Sequence, residues 1–150
     1  MAEPAQQALE RETIALHSRR FGSYAIPADR VLVFPDGLIG FRDACRFALL
    51  DSNRPESPFR SLVSLDVPEL GFVVCDPVQL WPAYAADLPP LETGRADDRA
   101  VLAIVTVPQD PRGMTANLLA PLIFDCATRT GRQVVLEGDR YSTRHPLLAG

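Results

Sequence analysis

The 150-residue sequence predicts an all-β, mainly antiparallel protein: a small single-domain β-barrel-like fold with short helical turns. Three observations carry that expectation. Short apolar runs recur between turn signals at the roughly 8–12-residue spacing of sandwiches and barrels. Fourteen prolines argue against long helices, because each removes a backbone donor and clashes with the preceding turn. The segment Val101–Val107 is apolar, rich in β-branched residues and followed by Pro108, as a strand should be. Closure into a barrel then leaves few strand edges open.

Taken in order, residues 1–12 are polar and alanine-rich and read as a flexible or helical leader, with 13–150 as the domain. Thr13–Arg20 and Tyr24–Ile26 are strands about a turn at Phe21-Gly22-Ser23. Val31–Phe34 is a short strand closed by Pro35-Asp36-Gly37, residues that favour reversal. Arg42–Cys45 is the best place for a brief helical turn. Arg46–Leu50 and Phe59–Leu65 are strands separated by the polar loop 51–58. Asp66–Glu69 turns the chain, and Gly71–Cys75 is a further buried strand ended by Asp76-Pro77. An acidic, proline-bearing loop runs from Asp87 to Arg99, and Gln109–Gly113 is another loop. Leu122–Cys126 and Gln133–Leu136 form a hairpin through Thr128–Gly131, and the tail from Tyr141 is mixed. The total is about nine to eleven strands.

Composition excludes several classes. At 47% hydrophobic, the chain can bury a core, yet it has no apolar run of the ~18–20 residues that a spanning helix needs. The N-terminus lacks a basic stretch followed by an apolar one, so a cytoplasmic protein without a membrane partner is expected. All fifteen cationic residues are arginine, but the net charge of −4 repels a phosphate backbone. No direct nucleic-acid binding is expected, and a basic protein partner suits the domain better. Cys45, Cys75 and Cys126 lack any ligand spacing and read as buried, reduced thiols, so neither metal nor cofactor is expected.

The residues able to do chemistry have structural explanations. Asp139, Ser142 and His145 share one short tail without a nucleophile elbow, which is no way to build a triad. Asp66, Glu69, Asp76, Asp87, Asp97 and Asp98 sit at turns, where carboxylates accept backbone N–H groups. No enzyme is expected. Asn117 precedes two leucines and is either a staple tying a loop to a strand or a partner contact. Pro121 beside it marks an edge strand or a bulge. Trp81 and Tyr84 either plug the barrel mouth as core or anchor an interface, and Trp81-Pro82 is a candidate cis bond. The neighbourhood to probe for partner binding is Asp76, Tyr84, Met114, Asn117, Tyr141, Arg144 and His145.

The ordered strings FPDGLIGF (34–41), ELGFVVCDP (69–77), AIVTVPQDP (103–111), MTANLLAPL (114–122), GRQVVL (131–136) and YSTRHPL (141–147) resemble the flagellar assembly factor family, FliW. The resemblance spans about Thr13 to Leu148, and Ile39 stands where the family usually has proline. It implies a cytoplasmic, cofactor-free, barrel-like regulator, a monomer when free. Such a protein binds the basic translational repressor CsrA, relieving its repression of flagellin synthesis, and binds flagellin as the alternative partner. Two rival readings are a ligand-binding or enzymatic barrel with its pocket near Trp81, Tyr84 and Asn117, and direct RNA binding.

Overall fold

The computed structural model describes residues 12–52, 54–67, 69–92 and 94–147; the leader expected at 1–12 lies outside them apart from Glu12, as does the tail beyond 147. A hairpin of β1 (Thr13–Ser18) and β2 (Gly22–Pro27) leads through a 3₁₀ turn to β3 (Val31–Val33), β4 (Arg46–Asp51), β5 (Phe59–Ser64) and β6 (Gly71–Cys75). A single-turn helix α1 (Pro77–Leu80) and 3₁₀ turns at Pro82–Asp87 and Ala96–Asp98 precede β7 (Arg99–Thr106). After a further 3₁₀ turn at Pro111–Gly113 come β8 (Thr115–Ala116), β9 (Leu122–Asp125), β10 (Thr130–Gln133) and β11 (His145–Pro146).

Seven of these strands, in the order β7-β6-β5-β4-β3-β10-β9, close into a barrel because β9 pairs with β7. All neighbours are antiparallel except β3 and β10, which meet at the single pair Val33 and Thr130. Side-chain alternation explains why the strands are apolar on both faces. Leu32, Phe47, Leu62, Val74, Leu102, Leu122 and Phe124 form one cluster within the barrel, with Phe34 edge-on to Phe47 at 5.8 Å and to Phe124 at 6.5 Å. The intervening residues face outward under two covers. Val31, Ala48 and Val63 lie beneath the β1–β2 hairpin with Leu16 and Ile26. Cys75, Val101, Ala103, Val105 and Ile123 pack under Tyr84, Leu88 and Leu118.

Several local expectations are corrected. Arg42–Cys45 is a turn rather than a helix: Ala44 donates to Phe41 O at 3.2 Å, but the Cys45 and Arg46 amides are taken by Asp66 Oδ2, each at 2.9 Å. The second arm of the last hairpin is Thr130–Gln133, earlier than expected, because Arg129 at φ 60° closes the turn tightly after Asp125. The sequence beyond it still bonds across, Val134 to Pro121 O and Leu136 to Leu119 O. No cis peptide occurs among the described residues, so Trp81-Pro82 is trans. Only Cys75 is buried; Cys45 is half-buried in the loop before β4, and Cys126 is exposed in the turn after β9. Trp81 and Tyr84 belong to the outer cluster, not to the barrel mouth.

Candidate functional site

The segment that carries Asn117 and Pro121 is a long bulge. β7 pairs with β8 at residues 105–106 and with β9 at 99–102, so five residues, 117–121, stand opposite Ala103 and Ile104. Pro121 fits there because its missing amide is needed by no ladder, and β9 has neighbours on both sides and is no edge. Asn117 fixes the excursion: its amide donates to Ile104 O at 2.8 Å and its Oδ1 accepts from Ala120 N at 3.0 Å. Since Ala120 is buried, Asn117→Ala should leave that amide without its partner and cost about 1–2 kcal/mol, measurable by urea denaturation.

The bulge is covered by the last described stretch, Glu137–Leu147, which acts as a strap. The Ser142 carbonyl accepts from Leu118 and Leu119 at 3.1 and 3.2 Å, and β11 pairs with β8. Tyr84, only 2% exposed, donates its hydroxyl to Leu118 O at 2.6 Å and meets Tyr141 edge-on at 4.8 Å. Trp81 meets His145 in the same manner at 4.8 Å. Asp87 anchors the strap from below, accepting from Arg140 at 2.9 and 3.0 Å and from the Tyr141 hydroxyl.

The strap therefore gathers most of the candidates read from sequence. Tyr84, Met114, Asn117, Tyr141 and His145 lie around it, with the Met114 carbonyl receiving the Leu147 amide at 3.0 Å and Arg144 exposed on its surface. Asp76 stands apart. Its carboxylate caps α1 by accepting from Val78 at 2.9 Å and from Gln79 at 3.3 Å. Where the rival reading puts a small-molecule pocket, Tyr84 is buried and its hydroxyl is engaged by Leu118 O.

Electrostatics on this face are structural. The Tyr141 hydroxyl and then the Arg140 guanidinium hold the Asp87 carboxyl below the usual carboxylate range. A folded-state value depressed in this way contributes stability above the unfolded carboxylate pKa of ~3.9 and loses it as pH falls through the folded value. Thermal melts between pH 6 and pH 3 should thus show an acid limb that Asp87→Asn flattens. Burial, then the proximity of the Tyr141 phenol, whose ionised form would repel a second phenolate, and of the Asp87 carboxylate, pushes the Tyr84 phenol up. The Cys75 thiol is pushed up to about 11 by burial and then by Asp76, so it carries no thiolate near neutrality. Among the described residues no group of three His, Cys, Asp or Glu could hold a metal ion. Ser142 Oγ accepts the Arg144 amide and His145 faces Trp81, so the two are engaged separately.

A closed seven-stranded barrel whose polar groups on this face serve turns, caps and the strap defines the class, a small, mainly antiparallel β-barrel protein. The family model described as FliW protein matches residues 15–147. The flagellar assembly factor FliW of Symbiobacterium thermophilum is 41% identical over 127 residues, covering 81% of this chain and 92% of the relative. That of Syntrophotalea carbinolica is also 41% identical, over 87% of this chain and 95% of its own length. A crystal structure of the flagellar assembly factor FliW superposes with a TM-score of 0.79 at 32% identity, covering 91% of this chain and 98% of that one. The chain belongs to the FliW family of flagellar assembly factors.

Proposed function

We propose that this protein is a partner-switching regulator that binds the translational repressor CsrA, relieves its repression of flagellin synthesis, and is itself titrated by flagellin. Family membership is the observation that carries this reading. Two physical features support it. The net charge of −4 favours a basic RNA-binding partner and adds repulsion against RNA phosphates once bound beside it. The distribution of exposed apolar surface also suits a protein partner. Strand directions bring Ile39, Phe41, Val67, Val107 and Val135 to one rim, where β3, β5, β7 and β10 end. The protein acts in the cytoplasm, as a monomer when free.

Calorimetric titration with CsrA and, separately, with flagellin from the same organism tests the proposal. Saturable binding to each is expected, and binding to neither would refute it. No helix of the described residues is long and apolar enough to cross a membrane.

A further inference from the structure

We propose that the groove along the free edge of β10 receives an extended, basic-residue-bearing segment of the repressor; this rests on the partner-switch reading and names its contact surface. The parallel seam between β3 and β10 is a single pair long. Val33 donates to Arg129 O at 2.8 Å, and Phe34, alternating to the other side, donates to Cys45 O at 2.7 Å; Pro35 then has no amide to give, and Gly37 donates back to Phe34 O at 2.8 Å as the chain reverses. From there on, β10 has lost its neighbour on that side.

Backbone alternation shows which groups are left open. Val134 and Leu136 direct their amides at Pro121 and Leu119, at 2.9 and 2.8 Å. Neighbouring amides in an extended chain point to opposite sides, so Gln133 and Val135 direct theirs into the groove. Neither amide has a partner there among the described residues. A row of unpaired main-chain groups is complemented best by another extended main chain. The Val135 side chain is exposed, as is Ile39 on the facing loop. Ile39 is held over the groove by its amide bond to Gln133 Oε1 at 2.8 Å, so the opposite wall is in position before any partner arrives.

Charge selects the occupant. The stretch beneath the 89–92 loop is lined by Asp36, Glu92 and Asp125, and its one lining cation, Arg132, is already paired with Glu92 at 3.1 Å. This stretch shares Asp36 and Arg132 with the part of the groove beside Ile39 and Gln133, which Arg42 also lines. Asp125 is the one buried carboxylate among the described residues, with Oδ1 accepting from Ala127 N at 2.8 Å. An arginine or lysine of the incoming segment would meet the exposed Asp36 and Glu92, with the buried Asp125 adding negative charge to the wall. A second copy docked through the same groove would instead set like charges against each other.

Residue-resolved amide exchange, with and without saturating CsrA, tests the proposal. The Gln133 and Val135 amides should exchange freely alone and slow by about tenfold or more in the complex, while Val134 and Leu136 are protected throughout. The double variant Asp36→Arg with Glu92→Arg, both at exposed positions, should lose about tenfold or more in affinity at unchanged melting temperature, whereas Asp29→Arg should not. If CsrA binds with Gln133 and Val135 still exchanging freely, the groove assignment falls and the partner-switch reading stands. Absence of CsrA binding to the native protein would overturn both. Protection that grows with protein concentration alone would make the occupant a second copy, and that too overturns the proposal.

Discussion

Phe47→Ala should destabilise the protein by about 3–5 kcal/mol, a large part of the roughly 5–15 kcal/mol that holds a domain of this kind together. Phe47 is 0% exposed and lies edge-on to Phe34 at 5.8 Å and tilted against Phe72 at 6.5 Å. It sits on β4 opposite Ser64, with Leu32 paired to it from β3. Truncation would therefore open a void between Phe34, just past β3, and Phe72 on β6, and a closed barrel can collapse little to fill it. Urea denaturation should show a lower midpoint at unchanged slope. A loss below about 1 kcal/mol would mean that the interior is loosely packed.

The second large effect is expected at Tyr84. Tyr84→Ala removes a ring packed on Tyr141 and leaves the Leu118 carbonyl without its donor; the expected cost is about 3–5 kcal/mol. Tyr84→Phe separates the two contributions, since only the hydroxyl is lost and about 1–3 kcal/mol is expected. The strap should report the difference. With alanine at 84, limited proteolysis should cut within Glu137–Leu147, because Tyr141 loses the ring it packs on and keeps only its hydroxyl bond to Asp87, which also holds Arg140. With phenylalanine the ring remains and cleavage should stay slow. Equal resistance in both variants would show that Asp87 and β11 hold the strap by themselves.

What could be read from sequence was mostly local. Val101–Val107 and Gly71–Cys75 show their strands because β-branched and apolar residues run unbroken where both faces are covered. Asp66 and Asp76 were legible as turn carboxylates: Asp66 accepts the Cys45 and Arg46 amides, and Asp76 those of Val78 and Gln79 at the start of α1. Asn117 and Pro121 announced irregular backbone, and the bulge is what they make. The long-range pairings gave no such sign. Nothing in the residues of β3 and β10 predicts that they meet in parallel through one pair, because that contact is set by how the rest of the sheet closes. Asp87 read as an acidic loop residue, and its partners Arg140 and Tyr141 lie in the mixed tail. Gln133 and the open side of β10 were missed for a related reason: an edge exists only relative to a neighbour that leaves. The overlap of Asp36 with the PDG turn was the one available signal.

The most direct test of the account is RNA occupancy of CsrA. A labelled flagellin leader RNA is bound to CsrA, this protein is added to saturation, and flagellin follows. The account predicts that the RNA is released by the first addition and rebinds on the second, with the protein alone leaving the RNA untouched. Unchanged RNA occupancy in the presence of saturating protein would contradict it.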